Sequence, residues 1–294
     1  MLMTKSFIEY LQYERNYSEL TVRNYESDVL ELQQFIEAQV GDLEPEAVDT
    51  SLIREWVVSL MEQKKKASTV NRKLSSLRAY FKFLLKRGEI SVDPTYKIIG
   101  PKKEKVLPVF IKEKDMNRLL DEVDLGEGFE GCRDQLILEM FYATGMRLAE
   151  LLGLKNVDVD VNTCLVKVTG KRNKQRLIPF GDSLKKRIED YVSRRNEEVP
   201  QRSDVFFVQS DGKPVTRYTV TKVVKRSLSK VVTLKKRSPH VLRHSFATAM
   251  LNHEAGLSAI KEILGHESLA TTEIYTHTTF EELKKVYNQA HPRA

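Results

Sequence analysis

Apolar residues recur every three to four positions through most of residues 6–88, and the pattern divides into four amphipathic helices. Phe7, Ile8, Tyr10 and Leu11 mark the first, within Ser6–Arg15. Val22, Tyr25, Val29, Leu32 and Ile36 mark the second, opened by Ser18 or Thr21 and closed near Gly41. Leu52, Ile53, Trp56, Val57 and Leu60 mark a third over about Thr50–Gln63. Val70, Leu74, Leu77, Phe81, Leu84 and Leu85 form one stripe of a fourth that starts at Ser68 or Thr69. Pro94, Gly100, Pro101 and Pro108 then break the periodicity among Lys102, Lys103 and Lys105, which predicts a linker over 89–108.

Beyond it the periods alternate. Helices are expected at Ile111–Val123, at the strongly apolar Arg133–Tyr142, at a short segment opened by Arg147 after Thr144-Gly145, at Asp182–Val199 and at Thr216–Val232. Three β-prone runs, Val157–Val161, Thr163–Thr169 and Gln175–Phe180, lie between them, with Gly170-Lys171-Arg172-Asn173-Lys174 as a basic turn. Val205–Val208 reads as a short buried strand. The fold class is mainly α with a small antiparallel sheet, without internal repeats or low-complexity segments.

Composition narrows the function classes. The chain has 294 residues, a formal net charge of +7 and only two cysteines, Cys132 and Cys164, too few for a disulfide framework. No apolar run reaches the roughly 20 residues of a membrane span, and the N-terminus does not read as a signal peptide, so a cytoplasmic protein with no membrane partner is expected. The charge is unevenly placed: residues 1–53 hold three basic and eleven acidic residues, whereas 54–87 hold ten basic and two acidic ones. The polar side of the fourth helix, with Asn71, Arg72, Ser75, Ser76, Arg78 and Lys82, follows Lys64-Lys65-Lys66. A basic helix face is commonly only solvated, but its polar interleaving tilts the reading towards nucleic-acid backbone.

The chemistry concentrates in 238–275. Ser238-Pro239 is a helix start, and His240 and Arg243 leave one face of its first turn, an arrangement suited to an oxyanion. A second helix carrying Leu257, Ile260, Ile263 and Leu264 stops at Gly265, with His266 next and Tyr275 nine residues on. Two histidines, an arginine and a tyrosine outside apolar faces suggest phosphate chemistry with a tyrosine nucleophile. No cluster of carboxylates, or of Cys and His, has metal spacing, so neither metal nor other cofactor is expected.

His-x-x-Arg, Leu-Gly-His and the following tyrosine, together with the terminal His291-Pro292-Arg293-Ala294, resemble the tyrosine recombinases (the phage integrase family), in particular their Xer branch. The resemblance spans nearly the whole chain. It implies an N-terminal four-helix core-binding (SAM-like) domain over 1–88, the linker 89–108 and a tyrosine recombinase catalytic domain over 109–294. Carried onto this sequence, it makes Arg147, Lys171, His240, Arg243, His266 and Tyr275 catalytic, with Lys171 as general acid on the hairpin. Lys66, Asn71, Arg72, Ser75, Arg78, Arg172, Lys174, Arg176 and Lys222 are expected DNA contacts, mostly to phosphate. One departure stands out: Glu254 lies where the family usually has glycine, with Gly256 two residues later, so the loop between the two histidine-bearing helices could follow another path.

The resemblance further implies double-stranded DNA as partner, and a homotetramer or a heterotetramer with a paralogous recombinase on synapsed sites, the helix Phe280–Ala290 docking into a neighbouring subunit. Its leading biological reading is resolution of chromosome dimers for segregation at cell division. An integrase or resolvase of a mobile element shares the chemistry, and a non-catalytic DNA-binding protein is the alternative from another class. Dependence on a DNA translocase stays open.

Overall fold

Ser18 accepts at its Oγ from the Thr21 N–H and so starts a helix that Gly41 ends. The computed structural model describes residues 4–41, 44–103, 109–170, 173–200, 203–234, 236–265 and 277–294. It divides into two units, Met1–Val106 and Leu107–Ala294.

The first unit contains helices α1 (Thr4–Glu9, continued by a π-helical turn Tyr10–Glu14), α2 (Glu19–Val40), α3 (Thr50–Glu62) and α4 (Ala67–Arg87). Their apolar stripes meet around Trp56, Leu74, Leu77, Tyr80 and Phe81, all 1% exposed or less. Phe7 stands edge-on to Tyr80 with ring centroids 5.1 Å apart. One carboxylate lies inside this bundle: Asp28, 1% exposed, accepts from Arg72 Nη1 at 2.5 Å, Lys73 Nζ at 2.9 Å and Ser76 Oγ at 2.7 Å. A buried carboxylate needs such partners, and α4 supplies them to α2. Residues 89–103 pack on this unit as well. Ile90 and Ile98 join its core, and the carbonyls of Pro94, Ile98 and Pro101 accept from Thr50, Arg78 and Asn71.

The second unit is built on α6 (Gly128–Thr144), whose residues 136–144 are all buried. Around it lie α5 (Glu113–Asp121), α7 (Leu148–Leu152), α8 (Asp182–Glu198), α9 (Arg217–Ser229), α10 (Pro239–Asn252), α11 (Leu257–Leu264) and α12 (His277–Ala290). Strands β1 (Val159–Asp160), β2 (Leu165–Thr169) and β3 (Gln175–Pro179) form an antiparallel sheet in that order, with Val166 opposite Ile178 and Val168 opposite Arg176. The strand expected at Val205–Val208 is reduced to isolated bridges, Lys155 to Val205 and Val208 to Pro214, because the run divides its pairing between two segments: 204–206 bonds to 154–156 and 207–209 to 213–215.

Glu254 takes φ +61°, the left-handed conformation that a glycine would supply. The Ala255 N–H reaches the Met250 carbonyl at 3.0 Å and closes α10 in the Schellman pattern without glycine. At the other end of the domain, α12 buries Leu283, Tyr287 and Ala290 in the core of its own chain. His291, 4% exposed, stacks on Tyr287 at 5.0 Å and pairs through Nε2 with the Tyr142 carbonyl at 3.2 Å. Arg293 then pairs with Glu139 and Asp121. The helix expected to dock on a neighbouring subunit thus packs in cis in the single chain.

Candidate active site

The site forms where α6 stops. Gly145 takes φ +60°, which turns the chain sharply enough to place Arg147 at the N-cap of α7. Glu150, at the third helical position, reaches back with Oε2 to the Arg147 N–H at 2.7 Å, the carboxylate half of a capping box. Its Oε1 accepts from Arg147 Nη1 at 2.8 Å. The same carboxylate receives Arg176 from β3, Nη1 to Oε1 at 2.8 Å and Nη2 to Oε2 at 3.0 Å. Burial alone would raise the Glu150 carboxyl; the Arg176 and Arg147 hydrogen bonds and charges hold it below the usual carboxylate range.

Three arginines from separate segments end on consecutive carbonyls at the C-terminus of α11. Arg176 Nε donates to Ile263 O at 2.6 Å, Arg243 Nη2 to Leu264 O at 2.7 Å and Arg147 Nη2 to Gly265 O at 2.9 Å. Helix C-termini leave these carbonyls unpaired and carry partial negative charge, so each guanidinium satisfies an orphan acceptor at a favourable place in the dipole field. Arg243 also donates through Nη1 to Gly145 O at 2.6 Å. Gly265 stands at φ +64°, and a Cβ there would come within 3.3 Å of the Arg176 side chain.

The charges do not balance. Among these groups three guanidiniums stand against one carboxylate, and Arg243, 8% exposed, is driven down to about 10 by burial and by the neighbouring charges of Arg147 and Arg176. A bound oxyanion would relieve that repulsion. His240, one helical turn before Arg243, is held below its ordinary value by desolvation and by Lys236, Arg243, His244 and Arg147. Its imidazole is therefore neutral at pH 7 and able to accept a proton. Ser238 does occupy the N-cap of α10, but its side chain makes no capping bond.

Of the expected catalytic residues, Arg147, His240 and Arg243 lie together here. Lys171, His266 and Tyr275, and the expected DNA contact Arg172, fall outside the described residues. Lys66, Ser75, Lys174 and Lys222 are exposed. Other expected DNA contacts are placed differently. Asn71 Nδ2 is committed to Ala67 O and Pro101 O, both at 2.7 Å. Arg72 is held bidentately by the buried Asp28, and Arg78, though exposed, donates to Ile98 O at 2.7 Å. Arg176 is the clearest correction: 9% exposed, it turns inward to Glu150 and α11 instead of outward to phosphate. The strand itself carries the signal, because Arg176 is in phase with buried Ile178 and out of phase with exposed Leu177. Glu150 was legible only as the acid three residues from Arg147.

Comparison with known proteins identifies the family. Residues 109–282 match the family described as "Phage integrase family", and residues 4–88 match "Phage integrase, N-terminal SAM-like domain". Relatives called "Tyrosine recombinase XerC" include that of Staphylococcus epidermidis, 37% identical over 99% of this chain and 97% of that protein, and that of Chlorobaculum tepidum, 36% identical over 98% and 94%. The XerH site-specific recombinase bound to a palindromic difH substrate superimposes with a TM-score of 0.73 at 23% identity, over 96% of this chain and 83% of that one. The Tn1549 transposon integrase in complex with circular intermediate DNA gives 0.74 at 18%, over 96% and 98%. At those identities the two structures speak to the fold. The chain belongs to the phage integrase family and is an Xer-type tyrosine recombinase, a DNA strand-exchange enzyme.

Proposed function

We propose that this enzyme cuts and rejoins double-stranded DNA at a specific site through a 3′-phosphotyrosyl intermediate on Tyr275, and that it resolves chromosome dimers for segregation at cell division. The observation that carries the chemistry is the meeting of Arg147 and Arg243, from segments far apart in sequence, on neighbouring carbonyls of one helix end. Attack on a phosphodiester raises negative charge on the non-bridging oxygens, and fixed guanidinium donors stabilise that charge better than water does. In this reading Arg147 and Arg243 face those oxygens, with His266 as a further donor. The Tyr275 oxygen bonds to phosphorus as the bond to the 5′ oxygen breaks. The phenolic proton passes to neutral His240, and the departing 5′ oxygen takes a proton from Lys171. A 5′ hydroxyl from another strand reverses the step, so exchange needs no ATP.

Lys66, Ser75, Arg78, Arg172, Lys174 and Lys222 serve this reading as backbone contacts. Residues 1–88 are the core-binding domain, 89–108 the connection and 109–294 the catalytic domain. The working assembly is a cytoplasmic tetramer on two synapsed sites, of one chain or of two paralogues. The test is a duplex selected by the full chain from a random pool and then nicked beside the exchange point. A covalent adduct that Tyr275→Phe abolishes supports the reading, and binding without an adduct overturns it.

A further inference from the structure

Arg176 is 9% exposed and its guanidinium is spent on protein acceptors. Its Nε holds Ile263 O, and its Nη1 and Nη2 take one oxygen each of Glu150. Glu150 is 3% exposed, and among the described residues Arg147 is the other cation bonded to it. A buried carboxylate with one arginine for company draws that arginine into a bidentate pair, since no water is present to compete. Here both oxygens are already occupied by Arg176. Arg147 is therefore left a single side-chain bond to Glu150 through Nη1, its Nη2 goes to Gly265 O, and its side chain stays 38% exposed.

We infer that Arg176 is a positioning residue of the strand-exchange reaction: by sharing Glu150 it keeps the Arg147 guanidinium from collapsing onto that carboxylate and leaves it directed at the scissile phosphate. The inference rests on the recombinase reading above. Gly265 and Gly170 fit it. A Cβ at Gly265 would press within 3.3 Å of the Arg176 guanidinium, and one at Gly170 would come to 3.4 Å from Glu150 Oε1, so both glycines leave room for the shared pair. Strand pairing adds to the hold, because Arg176 lies opposite Val168 in the ladder of β2 and β3.

The experiment is single-turnover cleavage of the nicked duplex by the full chain, with DNA affinity measured in parallel. Arg176→Gln should bind DNA within about threefold of wild type and cleave it about 10- to 100-fold more slowly, the scale of loss when a catalytic group is misplaced by an ångström. Glu150→Gln should also cleave slowly alone. In combination with Arg176→Gln it should restore part of the rate, because the uncompensated carboxylate that captures Arg147 has gone. A scaffold role alone predicts a double variant at least as slow as either single one, and that result overturns the inference. Arg176→Lys keeps the buried charge but cannot span both oxygens; it carries the test if Arg176→Gln does not fold, and a wild-type rate for it is likewise contrary. Wild type without an adduct brings down the recombinase reading and this one together, whereas a reactive wild type matched by Arg176→Gln brings down this one alone.

Discussion

Arg147 and Arg176 hold the same carboxylate: Glu150 Oε1 accepts from Nη1 of each at 2.8 Å, and its Oε2 accepts from the Arg147 backbone and from Arg176 Nη2. The pair ties the turn after α6 to the hairpin strand β3. Both arginines then reach α11, so the end of that helix is fixed by the same two side chains that share Glu150. Among the described residues, the guanidiniums of Arg147, Arg176 and Arg243 are held by protein acceptors, and stabilisation of a transition state depends on donors fixed in this way.

Gly145 tests how far the backbone sets this order. At φ +60° an added Cβ would lie 2.5 Å from Phe246 Cδ1 and 2.8 Å from Leu264 Cδ2. Gly145→Ala should cost about 2–4 kcal/mol, combining left-handed strain with overpacking. It should also displace the carbonyl that Arg243 holds, so cleavage should fall even at temperatures where the variant is folded. Denaturant melts and single-turnover rates on the same preparation check both effects.

Much of this was legible in the sequence, and the exceptions have physical reasons. Helix periodicity located α2, α3 and α4 to within a few residues, because each has a single buried stripe and a polar or glycine stop. Arg243 was marked by its spacing from His240, whereas Arg147 came only from the resemblance to the family. Arg176 was misread because a basic hairpin is ordinarily solvated; its phase with Ile178 marks it as inward, whereas Lys174, of the same parity, lies before β3 begins. The Asp28 network was missed for a related reason: an acid on α2 and bases on α4 look like two solvated faces until packing joins them.

The C-terminal lock predicts acid sensitivity. Burial lowers the His291 imidazole from its ordinary 6.5 to about 4. Between those values the unfolded chain takes up a proton that the folded one refuses, so stability falls as pH drops through that window and is restored above it. The shift corresponds to about 3 kcal/mol. Thermal melts from pH 7 to pH 4 should show a decline in Tm that is shallower in His291→Asn, which is less stable at neutral pH. Parallel slopes for the two proteins would remove His291 from the account.

DNA affinity should separate exposed from committed cations. Each phosphate contact contributes about 0.9 to the slope of log affinity against log salt. Lys66→Ala and Lys222→Ala should each reduce the slope by about that amount. Arg72→Ala should leave it unchanged while destabilising the N-terminal unit, because Asp28 loses its bidentate partner. Fluorescence anisotropy over a salt series, with a denaturant melt of each variant, reads both.

The most direct measurement is the covalent bond itself. Full-length protein is incubated with the nicked duplex, digested with protease, and the nucleotide-bearing peptide identified by mass spectrometry. The expected product joins Tyr275 to the 3′ phosphate on the cleaved strand, and Arg147→Ala or Arg243→Ala lowers its yield by orders of magnitude without abolishing DNA binding. A product on another residue, or undiminished yield without those arginines, would contradict the account.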